Sequence, residues 1–391
     1  MRYFTPSLAL ACSLALLAGC DRINAPQESR VVAPPESRVA SLEVTGAPAL
    51  LPPGFVAQLA PIARDSAGAV VSGVNVQWSS DAPDLATISQ DGVVAAIGGH
   101  GTVTITARSG QAAGQVFLKV APLPGKLAVE NLDTATFSST IWIFGFDGSP
   151  PTRVGGFSPS PVAVDRMPAW SPDGSQLAFT CALPNRWGIC VVASDGRETV
   201  IGVAADPLPV FAPEWSPDGT AILFTNSPGG LSLIDPNGSN LRAFAMPVLL
   251  TSAWPAGGRF SPDGTQLAFE SYINYYDDYD LCVLRIDQQQ ANCLGGGYDP
   301  AWSPNETNLL AFALDSHLLL MASDGSGLRT VYAGPDVVRL PAWSPDGEWI
   351  AFERFQPIGG GRSTWLIRAD GTNLVRLGGP GTDFGSPAWG R

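Results

Sequence analysis

Histidine is the side chain most often used to move protons near neutral pH, and this chain holds two, His100 and His317. Asp315-Ser316-His317 places an acid, a hydroxyl and an imidazole side by side. On an extended strand successive side chains point to opposite faces, so this trio does not assemble a Ser-His-Asp relay. A second chemistry is suggested by the stretch from Tyr272 to Asp280. There Asp277, Asp278 and Asp280, with nearby amide and carbonyl oxygens, offer ligands for calcium, a hard cation that takes oxygen. Tyr275 and Tyr276 in the same stretch suit stacking on a sugar ring, and a solvated loop of acids and aromatics fits the residues equally. Of six cysteines, Cys181 with Cys190 and Cys282 with Cys293 each flank a hairpin turn, which would set the partners opposite each other. Two cross-strand disulfides in an oxidising compartment follow. Neither pair has the C-x-x-C spacing of a zinc knuckle, so no metal is expected at the cysteines.

A net charge of −13 over 391 residues argues against nucleic acid, whose phosphates attract basic surfaces. It also argues against electrostatic adsorption to anionic lipid. Low charge with 43 Gly and 35 Pro suits an exported all-β protein rich in turns.

The elements that must position any site are set by a repeat. An aromatic residue followed by Ser-Pro recurs at Trp170, Trp215, Phe260, Trp302 and Trp343, and Pro387-Ala388-Trp389 truncates it at the C-terminus. Four of the five full copies continue Asp-Gly; the fourth reads Asn305-Glu306, which predicts a looser turn. A self-similar period of 41–46 residues is the mark of a propeller or solenoid. Within one copy, Pro168–Trp170, 176–179, 188–192 and 198–201 read as strands. They are separated by the Ser-Pro-Asp-Gly turn, a hairpin, and Asp195-Gly196. Four short antiparallel strands make one propeller blade. Before the first full copy, 126–129, 141–144 and 151–154 echo the second, third and fourth strands. A sixth blade is therefore expected to join three N-terminal strands to one C-terminal strand, which closes the ring and leaves no open edge.

At the front, Met1-Arg2, the apolar Leu8–Leu17 and then small residues read as an export signal over 1–19. Leu17-Ala18-Gly19-Cys20 resembles a bacterial lipobox, which implies cleavage before Cys20 and a lipid on that cysteine. Residues 20–38 hold Pro26, Pro34 and Pro35 with Glu and Ser and read as a flexible tether. Residues 39–121 alternate in short apolar strands, the pattern of a small sandwich.

The segment 126–391 resembles the TolB-type β-propellers, whose units carry the same W-S-P-D-G…I-A-F…D-G phrase. The set from Val76-Gln77-Trp78 through Gly101–Ile105 resembles the bacterial Ig-like group 2 module, with Trp78 in its core. The fold expected is all-β: a six-bladed propeller of four-stranded blades behind an N-terminal Ig-like sandwich that serves as spacer or adhesin. At the channel mouth, Arg166, Arg259, Tyr298 and Arg339 just precede the aromatic sites. They would favour an anionic or carboxylate-bearing partner such as a peptide end. The resemblance implies a non-catalytic, lipid-anchored envelope protein, facing periplasm or cell surface, that binds a protein or peptide. The alternative is a carbohydrate-binding or carbohydrate-active surface lipoprotein.

Overall fold

Repetition of the aromatic-turn phrase builds a ring of blades. A computed structural model describes residues 38–133, 135–136, 138–154, 165–183, 186–193, 198–201, 210–226, 230–247, 254–272, 279–356, 361–379 and 382–391. Blade 1 runs Asp165–Trp170, Gln176–Leu183, Arg186–Ala193, Glu198–Ile201, each strand hydrogen-bonded to the next. Blades 2 to 4 repeat this order from Val210, Trp254 and Tyr298. Blade 5 comprises Val337–Trp343, Trp349–Phe355, Arg362–Arg368 and Val375–Leu377. Blade 6 takes its innermost strand, Phe384–Gly390, from the C-terminus and Lys126–Asp133, Ser138–Gly145 and Thr152–Val154 from the N-terminal side. The chain thus closes as a six-bladed propeller, with its last strand paired to Lys126–Asp133.

The turn after each aromatic strand explains the phrase. The Gly174 N–H donates to Ser171 O (2.9 Å), the i to i+3 bond of a tight turn, and Gly174 has φ +70°. Ser171 Oγ donates to Asp173 Oδ1 at 2.6 Å and accepts the Gln176 N–H at 2.9 Å, so serine and aspartate together clasp the loop. Hydrogen bonds from Ser171 and then from Ser175 hold the Asp173 carboxyl down to about 2. In the fourth copy the turn is one residue longer, the Ser303 N–H donating to Leu309 O where the Ser171 N–H donates to Gln176 O, and Asn305 Nδ2 donates to Asp346 O of the neighbouring turn.

The aromatic residue ties blade to blade. The indole N–H of Trp215 donates to Ala169 O (3.2 Å), of Trp302 to Arg259 O (3.0 Å), of Trp343 to Ala301 O (3.1 Å) and of Trp170 to Ala388 O (3.3 Å). Each acceptor immediately precedes the aromatic residue of the previous blade. Phe260 has no donor for this role. Trp389 donates to Pro124 O at 2.9 Å, where the chain enters the propeller.

Both cysteine pairs are disulfides, Cys181–Cys190 and Cys282–Cys293. Cys282 lies directly opposite Cys293. Cys181 instead faces Gly188 and Cys190 faces Phe179, so that bridge runs diagonally between strands. The hairpin pairs Leu183 with Arg186, one residue off the centre that the cysteine spacing suggests.

The N-terminal strands between Ser41 and Val120 do not stand apart from the propeller. Phe55–Gln58 pairs antiparallel with Val375–Leu377, so blade 5 continues outward through Val93–Ala96 and Ala86–Ile88 as one seven-stranded sheet. A four-stranded sheet of Leu50–Leu51, Ala112–Val120, Gly101–Ser109 and Gln77–Ser80 belongs to the same region. Trp78, Val103, Ile105 and Leu118 of that sheet share a continuous buried cluster with Phe55, Trp349, Leu366 and Leu377. Asn373 Oδ1 accepts the Leu50 N–H and its amide donates to Leu50 O, at 2.8 and 2.7 Å. Phe55 also stacks on Phe146 of blade 6, 5.9 Å between centroids. An outer blade edge that would otherwise expose unpaired backbone is covered.

Candidate functional site: the propeller channel

Each inner strand carries a bulge three residues before its aromatic. Met167, Ala212, Gly257, Asp299, Leu340 and Ser386 all have φ between +47° and +61°. The strand register breaks beside every one of them. Five of these six are not glycine, and a left-handed residue with a side chain costs roughly 1 kcal/mol or more, so something must hold it. The bulge turns a backbone N–H toward the previous blade, where a second-strand side chain accepts it. Thr225 Oγ1 takes the Gly257 N–H at 3.2 Å, Glu270 Oε1 the Asp299 N–H at 2.9 Å, and Glu353 Oε2 the Ser386 N–H at 2.9 Å. Blade 4 has Ala313 at the corresponding place, and the Asp299 side chain accepts the Leu340 N–H instead, at 3.1 Å.

The ring of second-strand positions therefore reads Glu130, Thr180, Thr225, Glu270, Ala313 and Glu353. Glu130, 2% exposed, is the closing clasp. It meets Arg362 of blade 5 at 3.3 Å, Arg166 of blade 1 at 3.7 Å, and accepts from Ser386 Oγ of the C-terminal strand at 3.0 Å. Arg362 also reaches Glu353 at 4.0 Å and Asp383 at 3.2 Å. Gly385 sits where a Cβ would meet Glu353 Oε2, so a larger residue here would displace that carboxylate from the cluster. Across the ring, burial pushes Glu270 up to about 8, and the Asp299 charge adds to the shift. Burial likewise raises Asp299, against the N–H of Leu340 and the charges of Arg259 and Arg339. The two carboxyls thus face each other across the blade 3–blade 4 interface, where burial favours the protonated form of Glu270.

Between the bulges and the Ser-Pro turns, the channel holds a cavity of about 440 Å³. Its charged lining is Glu214, Arg259, Asp299 and the C-terminal Arg391, and Pro172, Pro217, Pro262, Pro304 and Pro345 rim its mouth. Arg259 and Glu214 occupy the same place in neighbouring repeats and pair at 3.7 Å. Burial raises the Glu214 carboxyl, with Arg259 opposing.

Of the four residues that sequence placed at the mouth, Arg259 lines this cavity. Arg166, Tyr298 and Arg339 each sit one residue before a bulge. Arg339 lies over the Phe355 ring at 5.7 Å, and the Tyr298 hydroxyl donates to Asp315 O at 3.3 Å. Arg166 and Arg259 thus meet carboxylates already in place, which sequence reasoning had not singled out. Glu214 stands one residue before its aromatic, as Arg259 does, so aligning the repeats on the aromatic sets that pair in register. His317 begins a blade 4 strand, opposite Leu314 and Ala333. Asp280 lies in the strand Tyr279–Arg285, whereas Tyr275, Tyr276, Asp277 and Asp278 fall outside the described residues, as does Cys20. Among the described residues no three His, Cys, Asp or Glu side chains are grouped to hold a metal, and no helix is long and apolar enough to cross a membrane.

No family model matches the chain. The crystal structure of TolB from Acinetobacter baumannii superposes with a TM-score of 0.58 at 17% identity, over 81% of this chain and 83% of that one. The fold is that of a TolB-like β-propeller. A TolB homolog of Chlorobium luteolum (strain DSM 273 / BCRC 81028 / 2530) is 31% identical over 97 residues, 24% of this chain. The match spans 22% of that relative's length. The propeller also superposes on a chain of a nidogen/laminin complex, TM-score 0.53 at 13% identity, covering 68% of this chain and 98% of that one. These structural likenesses, distant in sequence, establish the TolB-like fold and leave the site to be argued from its own residues.

Proposed function

We propose that this is a non-catalytic protein of the bacterial cell envelope, anchored by a lipid on Cys20, whose TolB-like propeller binds a protein or peptide partner in its channel. The observation that carries this reading is the cavity of about 440 Å³, walled by the Glu214–Arg259 pair and Asp299 and rimmed by proline. That volume suits a few residues of an extended chain and not a folded domain. Glu214 and Arg259 are fixed as a pair, which favours recognition of backbone and polar groups over proton transfer. The N-terminal region is read as an Ig-like module, and its shared sheet with blade 5 makes it a rigid spacer that sets the height of the channel above the membrane.

Crosslinking and capture from the native envelope tests this, with Cys20→Ser and Arg259→Ala variants alongside. One protein should be enriched, rebind the purified chain one to one, and lose that binding in Arg259→Ala while the variant keeps its folded circular dichroism spectrum. Recovery of wall or surface polysaccharide instead of protein would replace this reading with a glycan-binding one.

A further inference from the structure

At the seam where blade 5 meets Phe55–Gln58, the outermost blade strand carries Arg376. It pairs across the sheet with Trp365 on one side and Val56 on the other. Arg354 lies close by. Its guanidinium stacks over Trp365 at 4.4 Å and over Tyr332 of blade 4 at 5.4 Å, and Asp336 Oδ2 accepts from its Nε and Nη2 at 3.1 and 2.5 Å.

Arg376 is provided for differently. Among the described residues nothing accepts a hydrogen bond from it, and its Nε is enclosed by protein without a partner. Burial, and then the like charge of Arg354, push its guanidinium below the ordinary value. A half-buried cation with an unmet donor and a like-charged neighbour destabilises a seam that apolar residues could fill. Arg354, Arg376 and Asp336 together leave one uncompensated positive charge, on a chain whose net charge is −13.

We propose that Arg376, flanked by Arg354 and Trp365, is the recognition residue of a carboxylate-binding site at the seam between blade 5 and the N-terminal region. One surplus positive charge matches a monoanion. The planar guanidinium presents parallel N–H donors that fit the two oxygens of a carboxylate. The Trp365 and Tyr332 rings give the ligand's carbon skeleton an apolar wall. The seam exists only because the N-terminal strand extends the blade, so the site belongs to the whole protein. Two sources present this chemistry, a hexuronate sugar and the free end of a peptide.

The test is calorimetry and thermal denaturation of the full chain with sodium glucuronate, N-acetylalanine and sodium sulfate at constant ionic strength. One of the two carboxylates should bind and raise Tm, which identifies the source, while sulfate has no comparable effect. In Arg376→Gln, affinity should fall about tenfold or more, while the ligand-free Tm is equal or higher because an unpaired buried donor is gone. Arg376→Lys keeps the charge and loses the fork, and should lose affinity to a similar degree. The proposal is overturned if neither carboxylate shifts Tm at about 50 mM, if the shift persists in either variant, or if sulfate matches the carboxylates.

Discussion

Two rings circle the channel, and they were built by different rules. One, made of the motif aromatics and their Ser-Pro turns, repeats a single device: an indole N–H donates to the carbonyl just before the aromatic of the previous blade. The other, at the second-strand positions Glu130, Thr180, Thr225, Glu270, Ala313 and Glu353, keeps its position and varies between Glu, Thr and Ala. The first ring closes a propeller of any function. The second sets which buried groups receive the bulge N–H groups behind the channel wall, and there the blades differ from one another.

The sharpest way to break that comparison is Glu130→Ala. It removes the carboxylate that joins blades 5, 6 and 1, and leaves Arg362 with a reduced set of buried partners. Denaturant unfolding should show a loss of about 3 kcal/mol, in the range found when one side of a buried ion pair is deleted. A loss below about 1 kcal/mol would mean the clasp is dispensable.

A smaller effect is expected at Glu270, and it depends on pH. Its folded value of about 8 lies above the ordinary 4.5, so the folded state holds the extra proton. The stability this contributes is complete below the ordinary value and is lost as pH rises through about 8. Glu270→Gln keeps a donor toward Asp299 and abolishes the titration. Thermal melts of the variant between pH 5 and 9 should be flatter, crossing above the native protein at the alkaline end. Parallel profiles would show that Glu270 does not hold the extra proton.

In the aromatic ring, Trp215→Phe deletes one indole bond and keeps the side-chain packing, and Phe is what blade 3 already uses at Phe260. About 1 kcal/mol should be lost, the usual net value of one such bond. Thr180→Val is the mildest change. The Thr180 hydroxyl is buried and unpartnered, so its replacement by a methyl should leave stability equal or slightly higher. A clear loss there would reveal an acceptor role like that of Thr225.

Much of this was legible in the residues. The period of the aromatic phrase, its Asp-Gly turns and the echo at 126–154 announced the blades and the closure between the two ends. That legibility has a cause: turn chemistry and strand alternation act over a few residues. Disulfide partners were readable for the same reason, although the Cys181–Cys190 bridge is diagonal because a shift of one residue in the hairpin moves every pair. The channel carboxylates were not read, since a buried glutamate and a solvated one look alike in sequence. Arg166 and Arg259 drew notice as positive charges, yet their meaning depends on Glu130 and Glu214, which reach them only across blade interfaces.

By itself, then, the sequence determined the repeated four-stranded unit, the number of units, the pairing of its two ends and its cysteines, all set by short-range turn and strand preferences. Only the tertiary structure decided that the inner-strand bulges aim backbone N–H groups at acceptors one blade away, and that Glu270 is buried beside Asp299, which raises its carboxyl. It alone joined the N-terminal strand to blade 5 and left the Arg376 Nε without a hydrogen-bond partner among the described residues at their seam. Burial and through-space charge set those features, and they come into being only when residues distant in the chain are packed together.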